Sequence, residues 1–213
     1  MENRFCLTET IQKTAFFTGH RQLSDTAVRY LAAPLSRAIR EAYQQGYRIF
    51  VCGGALGFDT LAAQSLLEMK KELPDIVLSL AIPCPSQPDL WPENDQRIYR
   101  GIIRQADVVK VLSPAYYPGV MLSRNRYMVE QSSLCICYLN RMRGGTAYTV
   151  RYALQYPYMN FVNLAVNSPR KPDLMREGRW NFTYMSPFAY KNADIVHLSL
   201  SHKKKIFLKN TRN

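Results

Sequence analysis

The sequence predicts an α/β protein: a mostly parallel sheet with helices on both faces. Short β-rich runs alternate along the chain with longer segments of helical periodicity, the order that βαβ units produce. Glycine-bearing turns stand where apolar runs give way to helical ones, as in Cys52-Gly-Gly-Ala-Leu-Gly-Phe-Asp59. The chain has 213 residues, 47% of them hydrophobic, which is enough to bury one sizeable core.

Taken in order, the predicted strands are 14–18, 48–52, 77–82, 108–112, 134–139 and 160–166. Between the first two, Val28, Leu31, Leu35, Ile39 and Ala42 fall on one helical stripe, with Ser24 as N-cap and Gly46 as the stop. Pro34 should kink or split that helix. A second helix follows Asp59, a third covers about 95–105, a fourth about 120–132, and a fifth starts near Thr146. No internal repeat or low-complexity stretch interrupts the pattern.

This organisation gives one domain over 1–166 and an extension over 167–213. The net charge of +12 suggests an anionic partner, but the extension alone carries 10 Lys and Arg against 3 Asp and Glu. A solvated basic segment, with Arg170-Lys171 and Lys203-Lys-Lys205, therefore outweighs a dedicated nucleic-acid surface. Trp180, Phe182, Tyr184, Phe188 and Tyr190 are too many aromatics for a simple linker, so the extension is expected to pack on the domain or on a partner subunit. No run of 18 apolar residues exists and the first residues lack a signal pattern, which points to a cytoplasmic protein with no membrane partner. Five cysteines lack zinc-site spacing, and Cys52, Cys84, Cys135 and Cys137 lie in or beside apolar runs, so they are expected as reduced core thiols and no metal site is expected.

Sheets of this kind bind ligands beyond the carboxyl ends of their strands, where loops lead into helix N-termini. Those loops hold most of the unusual residues: Thr18-Gly-His-Arg21 after the first strand, Gly53, Gly54, Ala55, Gly57 and Asp59 after the second, Arg124-Asn-Arg126 beyond the fourth, and Gly144-Gly-Thr146 with Thr149 after the fifth. Glycines before a helix let a ligand approach the backbone, and the first helical N–H groups favour an anion. The two glycine turns therefore suit phosphate, although tight turns need glycine as well. Arg21, Arg124 and Arg126 would balance its charge, and Asp59 and Asn125 would hold a ribose or base. His20 could donate a hydrogen bond or move a proton. Asp59 could instead cap the helix that follows, and Arg126 could pair with Glu130 at i+4. Trp91, Tyr116 and Tyr117 are open to base stacking or to packing at the sheet edge.

Taken together, Phe17-Thr-Gly-His-Arg21, Cys52 to Asp59, Trp91 with Asp95, Ala106-Asp107, Tyr117 with Gly119, Arg124 to Glu130, and Gly144-Gly-Thr146 with Thr149 resemble a known group. It is the superfamily uniting DprA-like proteins with LONELY GUY-type phosphoribohydrolases (SLOG), and within it the YpsA-like family. The likeness covers about residues 13–166. It implies a Rossmann-like fold with a pocket for a nucleotide or nucleotide derivative; no cofactor is expected to be required beyond such a nucleotide ligand. The hydrolase branch carries G-G-x-G-T-x-x-E; here the second-turn glycine is Ala147, the threonine Tyr148 and the catalytic glutamate Arg151, which speaks against cleavage of an N-glycosidic bond. The DprA branch implies single-stranded DNA as a second-rank partner. Sequence leads to a nucleotide-sensing or regulatory protein, with a phosphoribohydrolase or a DNA binder as alternatives, a homo-oligomer possible and no catalytic residue assigned.

Overall fold

The computed structural model describes residues 9–165. Six parallel strands form one sheet: β1 (Thr14–Gly19), β2 (Ile49–Cys52), β3 (Val77–Ile82), β4 (Val108–Val111), β5 (Leu134–Tyr138) and β6 (Asn160–Asn163). A four-residue turn of helix, α1 (Glu9–Gln12), precedes β1; α2 (Asp25–Gln44), α3 (Phe58–Met69), α4 (Glu93–Gln105), α5 (Val120–Glu130) and α6 (Gly144–Ala153) follow successive strands. Each predicted strand and helix is present, within a few residues of its expected bounds. The extension over 167–213, with its aromatics and basic runs, lies outside the described residues, as do Cys6 and Val166.

The period-two alternation of the strands divides the core into two layers. Ala15 and Phe17 of β1 and Leu134, Ile136 and Tyr138 of β5 pack with α2, α3 and α4. Phe16, Cys135 and Cys137 point to the other face, with Met128 and Val129 of α5 and Ala147 and Val150 of α6. β1, β2 and β5 are buried on both faces and read as continuous apolar runs, whereas β4 at the sheet edge is exposed. Cys52, Cys84, Cys135 and Cys137 are all buried free thiols.

Two expectations about α2 need correction. Ser24 caps it as expected, accepting from the Ala27 N–H, and Leu31, Leu35, Ile39 and Ala42 are buried. Val28, however, is exposed, because the stripe that packs begins one turn later at Leu31. Pro34 does not split the helix, which runs unbroken for 20 residues. Burial of Leu31 before the proline and of Leu35, Ala38 and Ile39 after it holds the helix together across the lost N–H donor.

The strand order is β4-β3-β2-β1-β5-β6. The chain first moves outward from β1 through β2 and β3 to β4, then returns to lay β5 on the other side of β1. The direction of winding thus reverses between β1 and β5. Loops leaving the carboxyl ends of these neighbours diverge to opposite faces and open a crevice between them.

Candidate functional site

A cavity of about 520 Å³ occupies that crevice. From the β1 end it is lined by Phe17, Thr18, Gly19, His20 and Arg21, and from the β5 end by Arg141, Arg143, Gly144, Gly145 and Thr146. Ala55 and Asp59 reach it from the turn after β2, and Met121, Leu122, Arg124 and Asn125 from α5. Four segments that the sequence singled out separately therefore converge on one space, of a size that suits a small molecule.

The turn after β2 is a scaffold more than a cradle. Gly53 and Gly54 do not line the cavity. Asp59 sits in the first turn of α3, whose N-cap is Gly57, and its side chain turns back so that Oδ2 accepts the Ala55 N–H at 3.3 Å. The Gly53 carbonyl accepts from Arg124 Nη1 and from Gln87 Nε2, and the Gly54 carbonyl accepts from Gln87 Nε2 at 2.7 Å. The Phe58 N–H donates to the His20 carbonyl at 3.1 Å, which stitches this turn to the one after β1. The Ala55 and Phe58 amides of this turn are thus engaged by the protein itself. Gly57 is required for two reasons: its φ of +76° is left-handed, and a Cβ would stand 2.2 Å from the Arg21 carbonyl oxygen.

Arg124 and Asp59 form a buried pair, 4.0 Å between Nη1 and Oδ2, with side chains 5% and 8% exposed. Burial raises the Asp59 pKa, opposed by the Arg124 charge, and burial likewise lowers that of Arg124. Arg124 also donates through Nε to Asn125 Oδ1 at 2.8 Å, and Asn125 Nδ2 donates to Thr149 Oγ1 at 2.8 Å. Thr149 in turn donates to the Gly145 carbonyl at 2.8 Å. The chain Asp59, Arg124, Asn125, Thr149 thus joins the first glycine turn to the second. Thr149 is buried and does not line the cavity, so its part is to position the helix start.

The second glycine turn is the open one. Helix α6 begins at Gly144 after Arg143 as N-cap, and no side chain caps its first turn. Its leading N–H groups and positive dipole end face the crevice. Thr146 lines the cavity with a hydroxyl that has no hydrogen-bond partner among the described residues.

His20 is mostly buried, edge-on to Tyr138, and its Nε2 accepts the Asn140 N–H at 3.3 Å. Burial, reinforced by the charge of Arg141, pulls its pKa down to about 4. The ring is therefore neutral near pH 7, with its proton on Nδ1, and serves as a hydrogen-bond donor there.

Arg126 lies outside the cavity. Its guanidinium donates from Nε to the Tyr148 hydroxyl at 2.6 Å and stands 5.7 Å from the ring centres of Tyr148 and Tyr152, while Glu130 accepts from the Tyr152 hydroxyl instead of pairing with Arg126. Of the aromatics, Trp91 packs edge-on against Tyr99 at 5.2 Å, and Tyr116 and Tyr117 are exposed; none lines the cavity. Arg151 also points elsewhere, reaching toward the Met142 carbonyl, so Asp59 is the sole carboxylate lining the site among the described residues. Arg141 and Arg143 were not anticipated. Both lie between β5 and the second glycine turn, and Arg21, Arg141 and Arg143 are exposed and form no ion pair among the described residues.

Strand order defines a Rossmann-like α/β protein, with an arginine-lined cavity at its topological switch point. Residues 15–166 match the family described as YspA SLOG (YpsA), and the chain belongs to that family. It is 26% identical over 144 residues to a UPF0398 protein of Bacillus pumilus, covering 66% of this chain and 77% of that relative. A UPF0398 protein of Bacillus cereus is 26% identical over 158 residues, covering 72% and 86%. Among solved structures the chain is similar to DNA processing protein A (DprA) from Streptococcus pneumoniae, with TM-score 0.53 and 17% identity over 78% of this chain and 57% of that one. It is also similar to DprA from Helicobacter pylori, with TM-score 0.54 and 20% identity over 92% and 82%. These likenesses are of fold, and the chain spans a little over half of the pneumococcal protein. No helix among the described residues is long and apolar enough to cross a membrane.

Proposed function

We propose that this protein binds a nucleotide or phosphorylated nucleoside in the crevice between β1 and β5 and acts as a ligand-sensing or regulatory protein. One observation carries the reading: an uncapped helix start at Gly144 to Thr146 lies in the same cavity as Arg21, Arg141 and Arg143, which have no ion-pair partner among the described residues. Helix amides and unpaired guanidinium groups together favour a phosphate. His20 Nδ1–H and the Thr146 hydroxyl supply further donors at the rim. Gly53, Gly54 and Asp59 support the site from behind, and Arg124 and Asn125 lock the two turns together.

A thermal-shift panel of nucleosides and nucleotides tests this. A ligand at a hundredfold excess over its Kd stabilises the fold by about 2.7 kcal/mol, which such a scan resolves. A panel in which no phosphorylated compound raises Tm refutes the reading.

A second reading, binding of single-stranded nucleic acid, is supported by a different surface. Tyr148, Tyr152, Tyr156 and Tyr158 form a continuous row of ring contacts, 5.6 to 6.4 Å between centres, flanked by Arg126. Aromatic rows beside guanidinium groups suit unpaired bases. The fold relative from Helicobacter pylori is described as having a unique single-stranded DNA binding mode. Oligonucleotide binding that falls steeply with salt and is lost in Tyr148→Ala/Tyr152→Ala supports it; salt-independent or absent binding removes it. For the phosphoribohydrolase alternative, Asp59 is the only carboxylate lining the cavity among the described residues, and it is already engaged by the Ala55 amide and Arg124. Release of ribose 5-phosphate from a nucleoside monophosphate would revive it.

A further inference from the structure

The charge lining the crevice specifies how much anion it is built to hold. Among the described residues four arginines line it, Arg21, Arg124, Arg141 and Arg143, against a single carboxylate, Asp59. Arg124 and Asp59 face each other and are buried, so they balance. His20 adds no charge near neutral pH. Among the described residues three guanidinium groups therefore remain uncompensated around one cavity, in addition to the positive end of α6.

These charges form two poles. Arg21 leaves the end of β1 and acts on the Asp59–Arg124 pair. Arg141 and Arg143 leave the end of β5, where Arg141 acts on His20 and Arg143 begins α6. The poles stand on loops of adjacent strands, on the two sides of the crevice. A monophosphate brings about 1.5 to 2 negative charges at pH 7, too few to satisfy both poles and the helix start. A diphosphate brings about 3.

We infer that the ligand belongs to the nucleoside diphosphate class, its two linked phosphates spanning from Arg21 to Arg141 and Arg143, with one phosphate on the α6 amides. This inference rests on the nucleotide reading above and deepens it by naming the phosphate chemistry. Arg141 and Arg143 are then the residues that discriminate diphosphate from monophosphate. Like charges around one cavity repel, and entering negative charge relieves that repulsion.

The test is isothermal titration of the full chain, at one ionic strength, with adenosine, AMP, ADP and inorganic pyrophosphate, and with the guanosine, cytidine and uridine counterparts. For at least one base, the diphosphate is expected to bind tenfold or more tightly than the monophosphate. In Arg141→Ala/Arg143→Ala the ratio of the two affinities is expected to fall toward one. Arg97→Ala, which removes an exposed charge from α4 away from the cavity, is expected to keep the ratio. Equal affinities for monophosphate and diphosphate, or a double variant that keeps the preference, overturn the inference while leaving nucleotide binding intact. Pyrophosphate binding as tightly as any nucleotide overturns the nucleoside part. Absence of binding by every compound overturns both this inference and the reading on which it rests.

Discussion

Replacing Arg124 with alanine tests the internal bracing of the site. The guanidinium donates to the Gly53 carbonyl and to Asn125, and it is the buried counter-charge of Asp59. Its removal leaves a carboxylate 6% exposed with no opposite charge in contact. Breaking such a buried pair from one side costs about 3 to 5 kcal/mol. For a chain of this size that corresponds to a fall in Tm of about 6 to 20 °C. Urea and thermal unfolding measure it. The pH dependence follows from the sign of the Asp59 shift. Burial already raises its pKa, and loss of Arg124 raises it further above the unfolded value. A carboxyl raised in the folded state favours the fold at low pH and disfavours it as pH rises past the unfolded pKa. The deficit of the variant relative to the native chain should therefore be larger at pH 8 than at pH 5. Asp59→Asn in the Arg124→Ala background removes the stranded charge and should recover about 1 to 2 kcal/mol. A loss below about 1 kcal/mol, equal at both pH values, would refute the bracing argument.

Three further outcomes are expected. Gly57→Ala meets the Arg21 carbonyl at 2.2 Å in a left-handed conformation, so it should lower stability by about 2 kcal/mol or more and weaken nucleotide binding by displacing Arg21; a neutral urea midpoint contradicts this. His20 has a folded pKa of about 4 against 6.5 unfolded, so the unfolded chain takes up the extra proton and stability is lost as pH falls from about 6.5 to 4, by at most about 3 kcal/mol. His20→Gln should flatten that part of the stability profile, and an unchanged slope would count against a buried neutral imidazole. Thr149→Val removes the hydroxyl linking Asn125 to the Gly145 carbonyl and should cost about 1 kcal/mol while weakening phosphate affinity, read by titration calorimetry; full affinity would mean that the α6 start needs no such brace.

Apolar runs such as 134–139 make the central strands legible, since residues buried on both faces leave a simple pattern. Turn chemistry makes the Ser24 cap legible and places the start of α6 near Thr146, two residues after its actual start at Gly144. The strand order was not, because placement of β5 beside β1 is decided by packing between distant segments. That order decides which loops meet. It explains why Gly53 and Gly54, equal to Gly144 and Gly145 as motifs, brace the site while the latter line it. It also explains Arg141 and Arg143. Each is an unremarkable surface arginine until the loop after β5 is known to face the loop after β1; their place between a strand and a glycine turn was the available signal. Arg126 does not line the cavity, for a related reason. One position from Asn125 on a helix turns a side chain by about 100°, which carries Arg126 onto the tyrosine row.

The most direct test of the central claim is a crystal structure of the protein grown with saturating ADP. The account predicts phosphate density in the crevice between β1 and β5, roughly 3 Å from the Gly145 or Thr146 amides, with Arg21 and Arg141 or Arg143 turned onto it. Ordered ADP along Tyr148, Tyr152 and Tyr156, or a crevice left empty at a concentration that saturates binding in solution, would contradict it.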